Sequence, residues 1–309
     1  MQRTATIKRP KELTDLLEPS LMARIGQLDV ASRKIFAGKL KGERRSKKRG
    51  ESVEFADHRS YVVGDDIRHI DWNLFARLDH LFLKLFLEEE DLSLHIVLDC
   101  SASNDCGEPN KFLFMQKLAM ALSYIGLVNL NRVALSAIGS EEGNGSGLTA
   151  IRDLRGRRRT QDIAQFLCTL EPVGTAPFTE ACKRIALTRR GKGVMVVLSD
   201  FFIKEGYETG LRLLVGHGYD LFAIQVLSPE EVDPKITGDL RLKDVEDADL
   251  AEVTISAPLL KRYKANLNAY CDHLHEFCVR RDIQHMTVKS DTPIDVFVLE
   301  YLRKRGLLK

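Results

Sequence analysis

The residues best suited to chemistry in this chain are oxygen donors that follow two apolar runs. Asp99-Cys100-Ser101-Ala102-Ser103 continues from Ser93–Asp99 (SLHIVLD), and Ser199-Asp200 closes Gly193–Asp200 (GVMVVLSD). Between them lies Gly174-Thr175-Ala176-Pro177-Phe178-Thr179, just ahead of a helical pattern. Carboxylates and hydroxyls are hard ligands, and an all-oxygen octahedral set suits Mg2+ or Mn2+ without thiolate or imidazole. Two serines two residues apart on a tight turn can face one ion while Asp99 is held behind them. Either half alone has a plainer use, because Asp and Ser at strand ends commonly cap the next helix. Together, in this chain order, they point to a metal site.

Such a site needs elements that deliver its parts to one edge. From Ser93 onward, short apolar strands alternate with amphipathic helices. Strands are expected at Ser93–Asp99, Arg132–Ile138, Gly193–Asp200, Tyr219–Leu227 and Ile283–Val288. Helices are expected at Lys111–Asn129, 160–168, 178–189, 207–217, 258–281 and 294–306, with a hairpin over 239–256. This alternation predicts an α/β fold, a doubly wound and mostly parallel sheet covered on both faces. In open sheets of that kind ligands bind at the carboxyl ends of the strands, where the strand order switches. The first 92 residues differ in texture, which divides the chain into an N-terminal segment, 1–92, and a domain, 93–309. Residues 11–37 carry helical periodicity, followed by a basic stretch and then a dense mixture of charge and aromatics from Glu54 to Arg77.

Composition bounds the function classes. The 309 residues are 44% hydrophobic and 29% charged with a formal net charge of +2, which excludes a disordered, collagen-like or disulfide-scaffold chain and argues against a general nucleic-acid coat. The longest apolar runs fall short of the roughly 20 residues of a membrane helix, and Met1–Pro10 carries no apolar signal core. Six cysteines without a C-x-x-C pair fit reduced thiols. A cytoplasmic protein with no membrane segment is expected.

Other clusters have plainer readings. The basic runs Lys41–Arg49 and Arg155–Arg159 could neutralise phosphates, but no aromatic residue interleaves in Lys41–Arg49 to stack bases, so a docking strip or solvated loop is expected in both places. Cys271, His273, His275 and Cys278 sit within one predicted helix, which cannot wrap a zinc tetrahedron with all four. Gly143–Gly147 fits neither a Walker loop nor a dinucleotide fingerprint, and no Gly-x-Ser-x-Gly elbow is present.

The Asp-x-Ser-x-Ser, Thr and Asp pattern resembles the metal-ion-dependent adhesion site of von Willebrand factor A domains. The upstream segment carries a more specific resemblance, through Gly42-Glu43-Arg44-Arg45-Ser46, Arg49-Gly50-Glu51, Gly64-Asp65-Asp66-Ile67-Arg68-His69-Ile70-Asp71-Trp72-Asn73, Ala76-Arg77, Lys84 and Glu88-Glu89. These resemble the signature of domain-of-unknown-function family 58, von Willebrand factor A-like proteins usually associated with MoxR-type AAA+ ATPases. The likeness runs from about residue 40 to 100 and, more loosely, to the end. It implies a metal site of Asp99, Ser101, Ser103, Thr175 and Asp200, with Thr179 the rival threonine and Asn104 standing where the pattern has Met. It also implies an ion that takes an acidic residue of a partner protein, and an adaptor for the ATPase in assembling or remodelling other proteins, not an enzyme. Asp65, Asp66, Arg68, Asp71, Trp72 and Arg77 form either a partner-binding surface or an ion-pair network. The rival functions are Mg2+-dependent phosphoryl transfer with Asp99 as nucleophile, and nucleic-acid binding through Lys41–Arg49.

Overall fold

A computed structural model describes residues 9–32, 54–87, 92–139, 147–172, 174, 177–188, 193–215, 219–236, 238–243 and 250–309. The chain divides into two compact units, Lys41–Glu90 and the remainder, Met1–Leu40 with Asp91–Lys309. The expected division at residue 92 therefore runs differently from the observed one, since residues 9–32 belong with the larger unit.

In the smaller unit, β1 (Glu54–Ser60) pairs antiparallel with β2 (Phe82–Leu87). A helix, Trp72–Leu78, lies between them in sequence, capped by the Asp71 carboxylate, which accepts from the Asn73 and Leu74 N–H groups. The charge-rich texture of Glu54–Arg77 hid β1, because strand alternation is weak where both faces carry polar groups, while β2 falls on the apolar run Leu81–Leu87.

The larger unit is built on a six-stranded sheet of order β10-β7-β6-β3-β4-β5. Its strands are β3 (Ser93–Asp99), β4 (Arg132–Ile138), β5 (Leu148–Leu154), β6 (Gly193–Ser199) and β7 (Tyr219–Leu227). Then β8 (Gly238–Lys243) and β9 (Leu250–Ile255) form a separate antiparallel hairpin, and β10 (Gln284–Lys289) closes one edge of the sheet. All neighbours in the sheet are parallel except β4 and β5. The doubly wound α/β expectation is met, with one strand added. β5 was missed because it is an edge strand whose outer residues are exposed or half-buried, so LTAIRDL lacks the continuous apolar run of a central strand.

Side chains of the central strands alternate between two cores, as the period of two requires. Leu94, Ile96 and Leu98 of β3 and Val194, Val196 and Leu198 of β6 enter one, with the helix Lys111–Val128. Val97 of β3 and Met195 and Val197 of β6 enter the other, with the helices Phe178–Thr188, Glu208–Val215 and Ala257–Val279. β3 and β6 approach so closely that a Cβ at Gly193 would lie 1.9 Å from the Ser93 carbonyl oxygen. Among the described helices, Lys111–Val128 is long and apolar enough by composition to cross a membrane, yet 83% of it is buried in this core.

The helical periodicity read over 11–37 extends past the described residues, which end at Ser32 here. The described part holds two short helices, Leu13–Leu16 and Pro19–Ile25, separated where Pro19 starts afresh and stopped at Gly26. The chain then runs extended, and Val30 bridges Leu308 while Asp29 and Lys309 exchange backbone hydrogen bonds. The expected C-terminal helix is present as Ile294–Val296, a wider π turn at Phe297–Tyr301, and Leu302–Lys304.

Candidate metal centre at the carboxyl edge

From β3 the sheet continues in one direction through β4 and in the other through β6, so the strand order switches between β3 and β6. β3 ends in Asp99 and β6 in Ser199, and the two sit side by side beyond the paired Leu98 and Leu198. Adjacent parallel strands thus bring Asp99 and Asp200 to one edge from a sequence separation of about a hundred residues.

Asp99 is 2% exposed and both of its oxygens are engaged. The Ser199 hydroxyl donates to one at 2.6 Å and the Ser101 N–H to the other at 3.0 Å. Burial, with the nearby Asp200 charge, raises the Asp99 carboxyl above its ordinary range, and the two hydrogen bonds only partly offset this. The chain then enters a single 3-10 turn, Ala102–Asn104, whose start is fixed by the Ala102 N–H donating to the Gly174 carbonyl at 3.0 Å. That bond brings Gly174 against the Asp-x-Ser-x-Ser turn. Thr175 lies outside the described residues, and Thr179 is half-buried in the first turn of Phe178–Thr188.

On the turn, the Ser101 and Ser103 hydroxyls are 3.0 Å apart, and the Asn104 amide donates to Ser101 Oγ at 2.9 Å. Asn104 is fully buried and its Oδ1 finds no hydrogen-bond partner. An unsatisfied buried carbonyl is costly and unusual, and here it sits beside the serine pair.

Asp200 differs from Asp99 in its neighbours. One oxygen accepts the Phe202 N–H at 2.9 Å and the other accepts the Lys111 ammonium at 2.9 Å. Phe201 between them adopts φ 60, a left-handed conformation that is costly for a bulky residue. Its N–H is held by Ser199 Oγ at 2.8 Å and its carbonyl by the Tyr270 hydroxyl. Lys111 also donates to Glu231 at 2.7 Å. Burial opposes its charge, but Asp200 and Glu231 outweigh that and hold the ammonium above its ordinary pKa. Glu231 is oriented by a capping box at the short helix Pro229–Val232: it accepts the Ser228 N–H at 2.7 Å, and Ser228 Oγ accepts the Glu231 N–H at 3.2 Å.

These features fit a hard divalent cation. The hydroxyl separation of 3.0 Å matches adjacent vertices of an octahedron with bonds of about 2.1 Å. The Lys111 ammonium faces the carboxylates of Asp200 and Glu231, and the buried Asp99 carboxyl beside them is held by Ser199 and the Ser101 N–H instead. Asp99, Ser101, Ser103 and Asp200, with a threonine of the 174–179 loop, are the residues that could hold the ion.

Lys111 and Glu231 were not among the expected site residues. One signal for Lys111 was available: a lysine at the first position of a helix opposes the macrodipole and asks for a buried anion. For Glu231 it was the run Ser228-Pro229-Glu230-Glu231, a capping-box pattern.

The other candidates lie apart. Among the described residues, those of the carboxyl edge included, no three His, Cys, Asp or Glu side chains converge as a metal site. Within Cys271–Cys278, His273 pairs with the Tyr207 hydroxyl at 2.9 Å, His275 with His285 at 3.3 Å, and Cys278 is buried in the core. Lys41–Arg49 falls outside the described residues. In the smaller unit Asp65 pairs with Arg59, Asp66 with Arg68, and Asp71 with His58 and Lys84. Trp72 is exposed and meets Phe75 edge-on, and Arg77 is exposed in the last turn of the same helix.

Known proteins resemble this chain at two levels. The uncharacterized protein Rv1480 of Mycobacterium tuberculosis and the uncharacterized protein Mb1516 of Mycobacterium bovis are each 26% identical over 249 residues, 79% of this chain and 77% of theirs. Similar solved structures include the conserved hypothetical protein BatB from Bacteroides thetaiotaomicron, 12% identical with a TM-score of 0.41 over 70% of this chain and 98% of that one. They also include a von Willebrand factor type A structure from Catenulispora acidiphila, 11% identical with a TM-score of 0.36 over 70% of this chain and 42% of that one. The profile of one family, described as protein of unknown function DUF58, matches residues 57–273, more than half of the chain, and to that family this protein belongs.

Proposed function

We propose that this chain is a protein–protein interaction module whose carboxyl edge holds Mg2+ or Mn2+ and offers it to an acidic residue of a partner. The partner that the family resemblance implies is a MoxR-type AAA+ ATPase, with this chain as its cytoplasmic adaptor in assembling or remodelling other proteins. One observation carries the reading: Asp99, Ser101, Ser103 and Asp200 lie at the topological switch point, with the two serine hydroxyls 3.0 Å apart and both carboxyl groups buried. An ion held largely by neutral hydroxyls keeps electrophilicity for an incoming carboxylate.

The chain's own groups support binding over phosphoryl transfer. Asp99 is buried, with a serine hydroxyl on one oxygen and a backbone N–H on the other, which suits a positioning carboxylate better than an attacking one. The Ser199 hydroxyl and the Ser101 N–H fix that carboxylate, and the 3-10 turn aims both serines at the same point. All six cysteines are free thiols, in keeping with a reducing compartment.

Calorimetric titration of Mg2+ and Mn2+ into the wild type and an Asp99→Ala/Ser101→Ala double variant tests the proposal, followed by the ATPase or an acidic peptide. Binding that is lost in the double variant, with partner binding that needs the metal, is the expected result. No metal binding by the wild type with partner present would reduce the motif to a structural cap.

A further inference from the structure

Lys111 is the least expected part of the carboxyl edge. Its side chain is fully buried, at the first position of the core helix, where the macrodipole disfavours a cation. Two carboxylates face it from the loops after the neighbouring strands β6 and β7: Asp200 at 2.9 Å, itself almost fully buried, and Glu231 at 2.7 Å, partly open to solvent. Asp200 is one of the residues that could hold a metal, and the oxygen not taken by the Phe202 N–H is the one occupied by Lys111. Glu231 in turn is anchored through Oε2 by the Ser228 N–H, which leaves Oε1 for the ammonium.

Resting on the reading above, we infer that Lys111 is a tethered competitor for the metal site: its ammonium compensates Asp200 when no divalent cation is bound, and Glu231 is the seat that keeps it paired when Asp200 turns to an ion. Two features make the exchange inexpensive. The ammonium already contacts both carboxylates, at 2.7 Å for Glu231, so it need only keep that contact and lengthen the one to Asp200. Three rotatable N–H donors on a flexible stem allow that without moving the helix. The site thereby avoids an uncompensated buried carboxylate in either state. Its affinity for divalent ions is held down by a resident positive charge, which suits a module that is to bind metal and partner together and not metal alone.

The test is a Mn2+ titration followed by electron paramagnetic resonance, with a Mg2+ thermal-shift series on the same samples. Wild type, Lys111→Met, Glu231→Gln and Glu230→Gln are compared. Glu230 is the exposed neighbour that carries the same charge without touching Lys111 in any hydrogen bond described above. Lys111→Met is expected to tighten Mn2+ binding by about tenfold or more, since a unit positive charge leaves the vicinity of the ion. It should also show the larger Mg2+-induced rise in unfolding temperature, which reports the effect even if the metal-free variant is only marginally folded. Glu231→Gln is expected to weaken binding clearly more than Glu230→Gln. Equal affinity in wild type and Lys111→Met, with Glu231→Gln no weaker than Glu230→Gln, would make Lys111 a purely structural ion pair and leave the metal reading standing. Binding in no variant would overturn both.

Discussion

Two opposite-charge pairs in this protein have nearly the same geometry and different surroundings. At the carboxyl edge Lys111 and Asp200 meet at 2.9 Å with side-chain exposures of 0% and 1%. In the smaller unit Arg68 and Asp66 meet at 2.6 Å with exposures of 83% and 40%. Water already solvates the second pair, so its contact replaces one good environment with another and is screened by salt. The first pair has no such alternative. The Lys111 ammonium is kept charged by Asp200 and Glu231 together, so distance alone says little about what a pair does, and burial decides.

The sharpest way to break this comparison is to remove one partner on the buried side. Lys111→Ala leaves Asp200 buried beside Asp99 with its ammonium gone, and is expected to cost the larger unit about 3–5 kcal/mol. Urea unfolding in chelator at neutral pH measures it. A loss below about 1 kcal/mol would mean that water reaches Asp200 and that the two pairs are alike after all.

The pairs also differ in how far they could be read from sequence. Asp99, Ser101, Ser103 and Asp200 were legible because each follows an apolar strand run, and parallel strands deliver their carboxyl ends to one edge. Lys111 and Glu231 were not, because their partnership spans 120 positions and neither breaks a local pattern that the eye searches for. Lys111 looked like an ordinary helix start, and the capping box at Ser228 fell between two better-defined strands. β1 and β5 escaped for a related reason: strands with a polar or exposed face lose the continuous apolar run that marked β3, β6 and β7, whereas β2 coincides with the apolar run Leu81–Leu87. The break in the N-terminal helix, by contrast, was written in Pro19 and Gly26, and periodicity was followed past both.

Within the buried side, the two aspartates themselves can be separated. Ser199→Ala removes the hydroxyl that donates to Asp99 at 2.6 Å and accepts the Phe201 N–H at 2.8 Å. Hydrogen bonds to charged groups contribute about 1.5–3 kcal/mol, and a loss of that size is expected by the same unfolding assay. A negligible loss would show that Asp99 is protonated, or that water replaces the hydroxyl.

A smaller effect of opposite sign is expected at Asp99 itself. Its folded carboxyl pKa is raised from 3.8 by burial and by Asp200, so the folded state binds a proton more tightly than the unfolded chain. Stability contributed by this group is therefore highest below about pH 3.8 and falls as pH rises through the folded value. At neutral pH in chelator, Asp99→Asn should raise the unfolding temperature by a few degrees, and the gain should shrink as the pH is lowered toward 4. Added Mg2+ should stabilise the wild type and leave Asp99→Asn unmoved. Destabilisation by Asp99→Asn in chelator would mean that the negative charge is compensated without any ion.

On the exposed side the expected effect is the smallest. Arg68→Ala removes every hydrogen bond that Asp66 receives from the Arg68 guanidinium, yet the Asp66 carboxylate remains in water and keeps the backbone N–H of residue 68 that caps its turn. The unfolding midpoint should not move measurably at low or high salt. Asp71→Ala is the instructive neighbour, because that carboxylate joins His58 at 3.0 Å and Lys84 at 3.5 Å and also caps the helix Trp72–Leu78 through two N–H groups. It should fray that helix, seen as faster amide exchange at Asn73 and Leu74, while Arg68→Ala leaves those amides unchanged. If Arg68→Ala nevertheless lowered affinity for the proposed ATPase partner with stability intact, the exposed charges would be an interaction surface, since a network that contributes no stability has no structural reason to be assembled there.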